Sequence, residues 1–139
     1  MSRVVIIGAG DLGGAAAQAL ASRDRVGRVS MIDAAAEAAS GKALDIQQSG
    51  AVDGFHARLV ATDDLTTATG ATVCVVADRF GPPASEWQGE EGLAMMGRLV
   101  PFLSGAPIIF AGAQQAGLML RASREAGVER RRLIGSAPE

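Results

Sequence analysis

The residues best suited to chemistry come early in the chain. Gly8-Ala9-Gly10-Asp11-Leu12-Gly13 follows a short apolar run and precedes an alanine-rich stretch, and Asp33 stands about 20 residues beyond Gly13. Each glycine answers a steric need of a backbone that grips two linked phosphates. Gly8 permits a tight turn, Gly10 lets bare backbone approach the pyrophosphate, and Gly13 lets the next helix pack closely on the strand. The start of that helix adds unpaired N–H groups and the positive end of a dipole. A carboxylate at Asp33 can accept hydrogen bonds from both hydroxyls of an adenosine ribose and would repel a 2′-phosphate, while Ala34-Ala35-Ala36 offers no cation to receive one. The constellation implies NAD in preference to NADP. On the plainer reading the glycines only mark turns and Asp33 caps the helix after the second strand, which leaves the spacing to chance. Asp11, at the helix start, suits a capping role better than contact with a phosphate it would repel.

Positioning these groups requires an alternation of strand and helix. Apolar, β-branched runs at residues 4–7, 29–32, 57–60, 73–76, 108–110 and 133–134 read as strands, and their near-continuous apolar character suits parallel strands covered on both faces. Alanine- and leucine-rich stretches at 11–23, 35–48, 88–103 and 114–126 read as helices. Residues 62–69 are too short and threonine-rich for more than a single turn, and Gly81-Pro82-Pro83 opens a loop reaching about Gly89. Because parallel strands need crossovers, the expected fold is α/β, a doubly wound parallel sheet of the Rossmann kind with about six strands in the order 3-2-1-4-5-6. One such domain accounts for residues 1–139.

Composition narrows the remaining classes. With 48% apolar and 20% charged residues the chain can build a core, and 13 basic against 15 acidic side chains give no electrostatic footprint for nucleic acid or an anionic membrane surface. The apolar run at residues 4–7 is too short for a signal-peptide core or a membrane span, so a cytoplasmic protein is expected. A single cysteine, Cys74, allows no internal disulfide or multi-cysteine zinc site, and no metal is expected. Its place in a buried strand, without a basic neighbour, makes a reactive thiol unexpected.

Beyond the glycine string the chain resembles the amino-terminal, NAD-binding half of the lactate/malate dehydrogenase family. The resemblance rests on Met31-Ile32-Asp33, Gly41-Lys42-Ala43-Leu44-Asp45-Ile46, Val52-Asp53-Gly54-Phe55, Ala61-Thr62-Asp63-Asp64-Leu65 and Arg132-Leu133-Ile134-Gly135, in family order and near-family spacing. It spans essentially the whole chain. The implied cofactor is NAD, held by Gly8, Gly10, Asp11, Leu12, Gly13, Asp33, Ala77 and Asp78. In the Gly41–Ile46 segment, Ala43, Leu44 and Ile46 are expected to face the sheet.

The departures are as informative as the matches. Where the resemblance implies a substrate loop with two arginines, residues 78–91 carry only Arg79, for which a surface role is expected, and Gly89 occupies the position of the carbonyl-polarising arginine. Trp87 either packs this loop down or stands exposed. Thr-Asn-Pro after the fifth strand is replaced by Gly112-Ala113-Gln114, so the family's amide is missing unless Gln114 or Gln115 substitutes. The catalytic histidine, its aspartate and the substrate-carboxylate arginine belong to a second domain that this sequence does not contain. His56, the only histidine, precedes the third strand on the wrong side of the sheet for an acid/base. No catalytic residue is assigned, and the chain is expected to bind NAD(H) without turning over a 2-hydroxy acid on its own. A homo-oligomer, or a missing catalytic domain, is expected to cover its exposed face. An NAD-sensing regulatory domain of a potassium-transport system is the alternative, against which Gly41–Ile46 argues. A methyltransferase would need an antiparallel final strand, and the absence of tyrosine excludes an active short-chain dehydrogenase.

Overall fold

The first apolar run folds as strand β1 (Arg3–Ile7), whose side chains divide between two layers: Val5 and Ile7 enter one core, Val4 and Ile6 the other. Such two-sided burial is why these strands read as continuous apolar runs instead of alternating ones. The structure, a computed structural model, describes residues 2–136, so residue 1 and residues 137–139 of the expected domain lie outside the described residues. After β1 come α1 (Asp11–Ser22), β2 (Arg28–Ile32), α2 (Ala36–Asp53), β3 (Arg58–Thr62), a 3₁₀ turn (Leu65–Ala68) and β4 (Val73–Val76). The chain continues through β5 (Asp78–Arg79), β6 (Ser85–Glu86), α3 (Gly89–Leu99), a 3₁₀ turn (Val100–Phe102), β7 (Ile108–Phe110), α4 (Ala116–Glu125), a 3₁₀ turn (Arg130–Arg132) and β8 (Leu133–Gly135).

Six strands form one parallel sheet in the order β3-β2-β1-β4-β7-β8, which is the expected 3-2-1-4-5-6 once the small β5–β6 pair is set aside. On one face α1 and α2 cover Val4, Ile6, Val29 and Met31. Helix α1 does this with Gly13, Ala17 and Ala21, small residues one helical turn apart, so its backbone lies close to the sheet. On the other face Met95, Met96, Leu99 and Leu118 from α3 and α4 pack on Cys74, Val76, Ile108 and Phe110. Burial of each of these larger side chains contributes about 1.5–3 kcal/mol.

Three expected boundaries move. Helix α2 runs past residue 48 to Asp53, because Gly50 is needed inside it: a Cβ there would lie 2.7 Å from the Phe55 ring, and Gly54 at φ +82° closes the helix as its left-handed cap. The Gln47 carboxamide then locks α2 to the edge strand, its Nε2 donating to the Ala57 carbonyl at 2.9 Å and its Oε1 accepting from the Leu59 N–H at 2.7 Å. The stretch expected to be helical over 88–103 divides into α3 and a 3₁₀ turn, where Pro101 lacks the N–H that would continue the helix. Within the expected loop, Ser85–Glu86 pairs antiparallel with Asp78–Arg79, giving that segment a defined shape. Residues 62–69 do hold only a single turn, capped by the Asp64 carboxylate.

Candidate functional site

The strand order reverses between β1 and β4, and the glycine turn lies at their carboxyl ends, where open α/β sheets bind ligands. Gly8 takes φ +114° and donates from its N–H to the Ile32 carbonyl at 2.7 Å, tying the turn to the end of β2. A Cβ on Gly8 would fall 2.0 Å from the Asp78 carbonyl oxygen, and one on Gly13 would fall 2.1 Å from the Gly8 carbonyl oxygen. No side chain fits at either position. The assigned jobs of these two glycines, a tight turn and close helix packing, are therefore met by the geometry.

Gly10 faces something the sequence does not announce. Its N–H donates to the Asp78 carbonyl at 3.0 Å, and a Cβ placed on it would lie 2.4 Å from the Asp78 carboxylate. That carboxylate, 4% exposed, accepts from the N–H of Leu12 at 3.0 Å and from the N–H of Gly13 at 2.8 Å. The cap expected from Asp11 is thus supplied by Asp78, which opens β5 just after the neighbouring strand β4 ends. Asp11 itself is exposed in the first turn of α1, where its charge favours the positive end of the helix.

Asp33 is equally committed. At 7% exposure its Oδ2 accepts from the N–H of Ala9 at 2.8 Å and of Phe80 at 2.9 Å, while Oδ1 accepts from the N–H of Ala35 at 2.9 Å. Its bond to Ala35 falls just ahead of α2, whose first turn receives no side-chain cap, so Asp33 pins the approach to that helix together with the glycine turn and the segment after β5. A carboxylate offers about four acceptor positions, so capacity remains on Oδ1. Ala77, fully buried, gives its carbonyl to the N–H of Trp87 at 3.1 Å and to Gln115 Nε2 at 2.9 Å.

Two further side chains border this site, Lys42, to which sequence reasoning assigns no role of its own, and Gln115, weighed there only as a stand-in amide. Lys42, from α2, donates from Nζ to the Gly10 carbonyl at 3.0 Å and lies 5.3 Å from the centre of the Phe80 ring, placing a positive charge beside the turn. Its signal was its place in Gly41–Ile46, where the helix turns Ala43 and Ile46 inward but leaves Leu44 56% exposed, against the expectation that Leu44 faces the sheet. Gln115, 1% exposed, joins three loops: Oε1 accepts from the Gly112 N–H at 2.9 Å, and Nε2 donates to the carbonyls of Ala77 and Trp87. Its amide is spent on backbone, while Gln114, with Gln88, lines the adjoining cleft.

That cleft, about 410 Å³, is bordered by Asp11, Asp78, Ser85, Glu86, Gln88 and Gln114, three of them acids. Glu86 reaches over Gly112 to accept from the N–H of Gln114 at 2.9 Å. Arg79 turns away, pairing with Glu91 and stacking at 4.7 Å on the Trp87 ring, which itself packs against the core. Trp87 therefore holds the loop down. Gly89 opens α3 at φ +64° with no side chain to offer. A second cleft of about 300 Å³ lies beside Asp33, walled by Ile7, Leu65, Trp87 and Met95. His56 stays out of both, exposed ahead of β3 and 3.2 Å from Asp24 Oδ2. Among the described residues no three His, Cys, Asp or Glu side chains gather closely enough to hold a metal ion, and no helix is long and apolar enough to cross a membrane.

A parallel sheet with a glycine turn at its switch point and an acid at the end of β2 defines a dinucleotide-binding α/β domain. Residues 2–83 match the lactate/malate dehydrogenase NAD-binding domain, and the chain belongs to that family, whose cofactor is NAD. It is 27% identical to a malate dehydrogenase of Roseiflexus over 97% of its own length and 46% of that protein. The malate dehydrogenase of Salinibacter ruber superposes with a TM-score of 0.80 at 24% identity, covering 97% of this chain and 44% of that one. A lactate dehydrogenase of Cryptosporidium parvum, solved with lactic acid and NAD, superposes with a TM-score of 0.79 at 18% identity, covering 96% and 44%. The chain thus spans a little under half the length of these relatives.

Proposed function

We propose that residues 1–139 form an NAD(H)-binding domain of lactate/malate dehydrogenase type that grips the cofactor but does not carry out hydride transfer by itself. The observation carrying this reading is the turn at residues 8–13, where side chains are sterically forbidden at Gly8 and Gly13 and a helix begins. Gly8, Gly10 and Gly13 would shape the turn, the backbone N–H groups of Asp11, Leu12 and Gly13 at the start of α1 would face the pyrophosphate, and Ala77 and Asp78 would border it on the β4 side. Asp33 would read the adenosine ribose through its remaining acceptor capacity, and Lys42 adds positive charge. The half-apolar cleft beside Asp33 suits the flat face of adenine. When bound, NAD supplies hydride chemistry at its nicotinamide ring.

Oxidation of a hydroxy acid also needs a proton acceptor beside the reacting carbon. His56 stands exposed ahead of β3 and lines neither cleft, and the cleft next to the turn carries Asp11, Asp78 and Glu86, whose charge repels a substrate carboxylate. Reversible NAD-dependent oxidation of a 2-hydroxy acid is therefore a reaction to which this chain contributes the cofactor-binding half. Exposed Leu44 and Val52 on α2, with Leu120 and Ile134 on α4 and β8, support a homo-oligomer or a second domain that covers them.

Titration with NADH and NADPH tests the reading. The unmutated chain binds NADH more tightly, and Asp33→Asn, which keeps the side chain's shape, narrows the gap. Equal affinity for both cofactors removes Asp33 from ribose recognition; absence of binding at millimolar NADH overturns the assignment. Malate and lactate are not turned over, and a robust rate from the purified 139-residue chain refutes the non-catalytic part.

A further inference from the structure

We propose that Asp78 is an internal anion that occupies the phosphate-gripping amides of the α1 turn, so that the domain takes up NAD(H) only by moving this carboxylate aside. The inference rests on the NAD(H)-binding reading above and adds the residue that sets the affinity. A helix start attracts an anion through its unpaired N–H groups and its dipole, and one ionised oxygen satisfies them much as another does. Here Asp78 Oδ2 and Oδ1 take the N–H groups of Leu12 and Gly13 at 3.0 and 2.8 Å. The space left by the missing Gly10 side chain, through which a pyrophosphate would approach bare backbone, is filled by the same carboxylate.

Charge points the same way. Among the described residues no lysine or arginine forms an ion pair with Asp78, so the two amides and the dipole are its compensation. Two phosphates brought to this turn meet a like charge already seated on the donors they need. Both cannot be served by the same N–H groups. Movement requires no unfolding, because the backbone of Asp78 is held separately, its carbonyl accepting from the Gly10 N–H at 3.0 Å, and its side chain borders the cleft of about 410 Å³. Turning outward nevertheless carries the carboxylate towards Asp11 and Glu86, which border the same cleft and oppose the move. Apparent affinity falls by the fraction of molecules whose turn is free. If the seated arrangement dominates by about twentyfold, NADH binds about twentyfold more weakly than the bare turn would allow.

Calorimetric titration of NADH into the unmutated chain, Asp78→Ala and Asp78→Asn decides the matter, with thermal melting of each protein without and with NADH. Asp78→Ala should bind NADH about tenfold or more tightly than the unmutated chain while melting lower in its absence. Asp78→Asn keeps the side chain's volume and one acceptor oxygen but loses the charge, and should bind several-fold more tightly; it carries the test if the alanine variant does not fold. Equal or weaker binding by the folded variants overturns the proposal while leaving the NAD(H) assignment standing. Failure of NADH to bind any of the three overturns that assignment and this proposal together.

Discussion

Replacing Asp33 with alanine separates a carboxylate that holds the protein together from one that only reads a sugar. In the structure three backbone N–H groups, those of Ala9, Ala35 and Phe80, converge on it at 2.8–2.9 Å, and it is 7% exposed. A hydrogen bond to a charged group contributes about 1.5–3 kcal/mol, but only the Ala9 bond is fully buried, and water can replace part of the other two. The expected loss is about 3 kcal/mol, with the stranded Ala9 N–H as its largest component. For a domain of this size that corresponds to a fall in Tm of about 12 °C. Asp33→Asn retains an oxygen for Ala9 and Phe80 but turns an NH₂ group towards Ala35, and should lose about half as much. Differential scanning calorimetry without cofactor is the assay. A Tm within about 2 °C of the unmutated protein would refute the claim that Asp33 fastens the turn, the start of α2 and the segment after β5.

Gly10→Ala drives a Cβ to within 2.4 Å of the Asp78 carboxylate and should cost about 2 kcal/mol by chemical denaturation; combined with Asp78→Ala the losses should sum to less than their total, and strict additivity would clear the carboxylate as the obstacle. Burial pushes the Cys74 thiol up to about 12, so a disulfide reagent at pH 8 should label the protein only on unfolding, and rapid labelling of the native chain would contradict that burial. Three surface carboxylates are held below their ordinary values: Asp24 by the backbone N–H and ring of His56, Asp64 by the N–H and hydroxyl of Thr66, and Glu125 by the Arg121 guanidinium. A depressed folded value means that each contributes above its ordinary value of 3.8, 3.8 or 4.5 and ceases to as pH falls through the folded one. Melting temperature should therefore hold from pH 7 to 5 and decline below about 4, more gently in Asp24→Asn; an identical acid limb in that variant would remove Asp24 from the account.

Much of the fold was legible because its determinants are local. The apolar runs and the glycine string act through their own backbone or immediate neighbours, and all six sheet strands lie where the β-branched runs are. What moved depended on contacts that only folding brings together, and at the end of α3 on Pro101, which the helical composition around it masks. Ser49-Gly50 resembles a helix end until Phe55 folds back onto Gly50, and Ser85–Glu86 resembles loop until Asp78–Arg79 comes alongside. The inward face expected of Leu44 failed for a simpler reason: with Ala39, Ala43, Ile46 and Gly50 buried on α2, position 44 falls off their stripe.

The site divides along the same line, and the division bears on how glycine motifs are read. Gly8 and Gly13 could be placed in the turn, and Asp33 beside it, from spacing because that geometry is intrinsic to a strand, a turn and a helix in succession. Whether the amides at that turn are free is a separate question, answered by whichever side chain the segment after β4 brings against it. A motif search sees the donors and not the acceptor facing them, since Asp78 lies far along the chain from Gly10 yet shares its hydrogen-bonding space. Physically, a glycine-rich turn leading into a helix is an anion site wherever it occurs, and a protein can satisfy it from within. For this chain, dinucleotide affinity is accordingly a difference between two anions competing for the same N–H groups, and Asp78 at the start of β5 weighs as heavily as the glycines themselves.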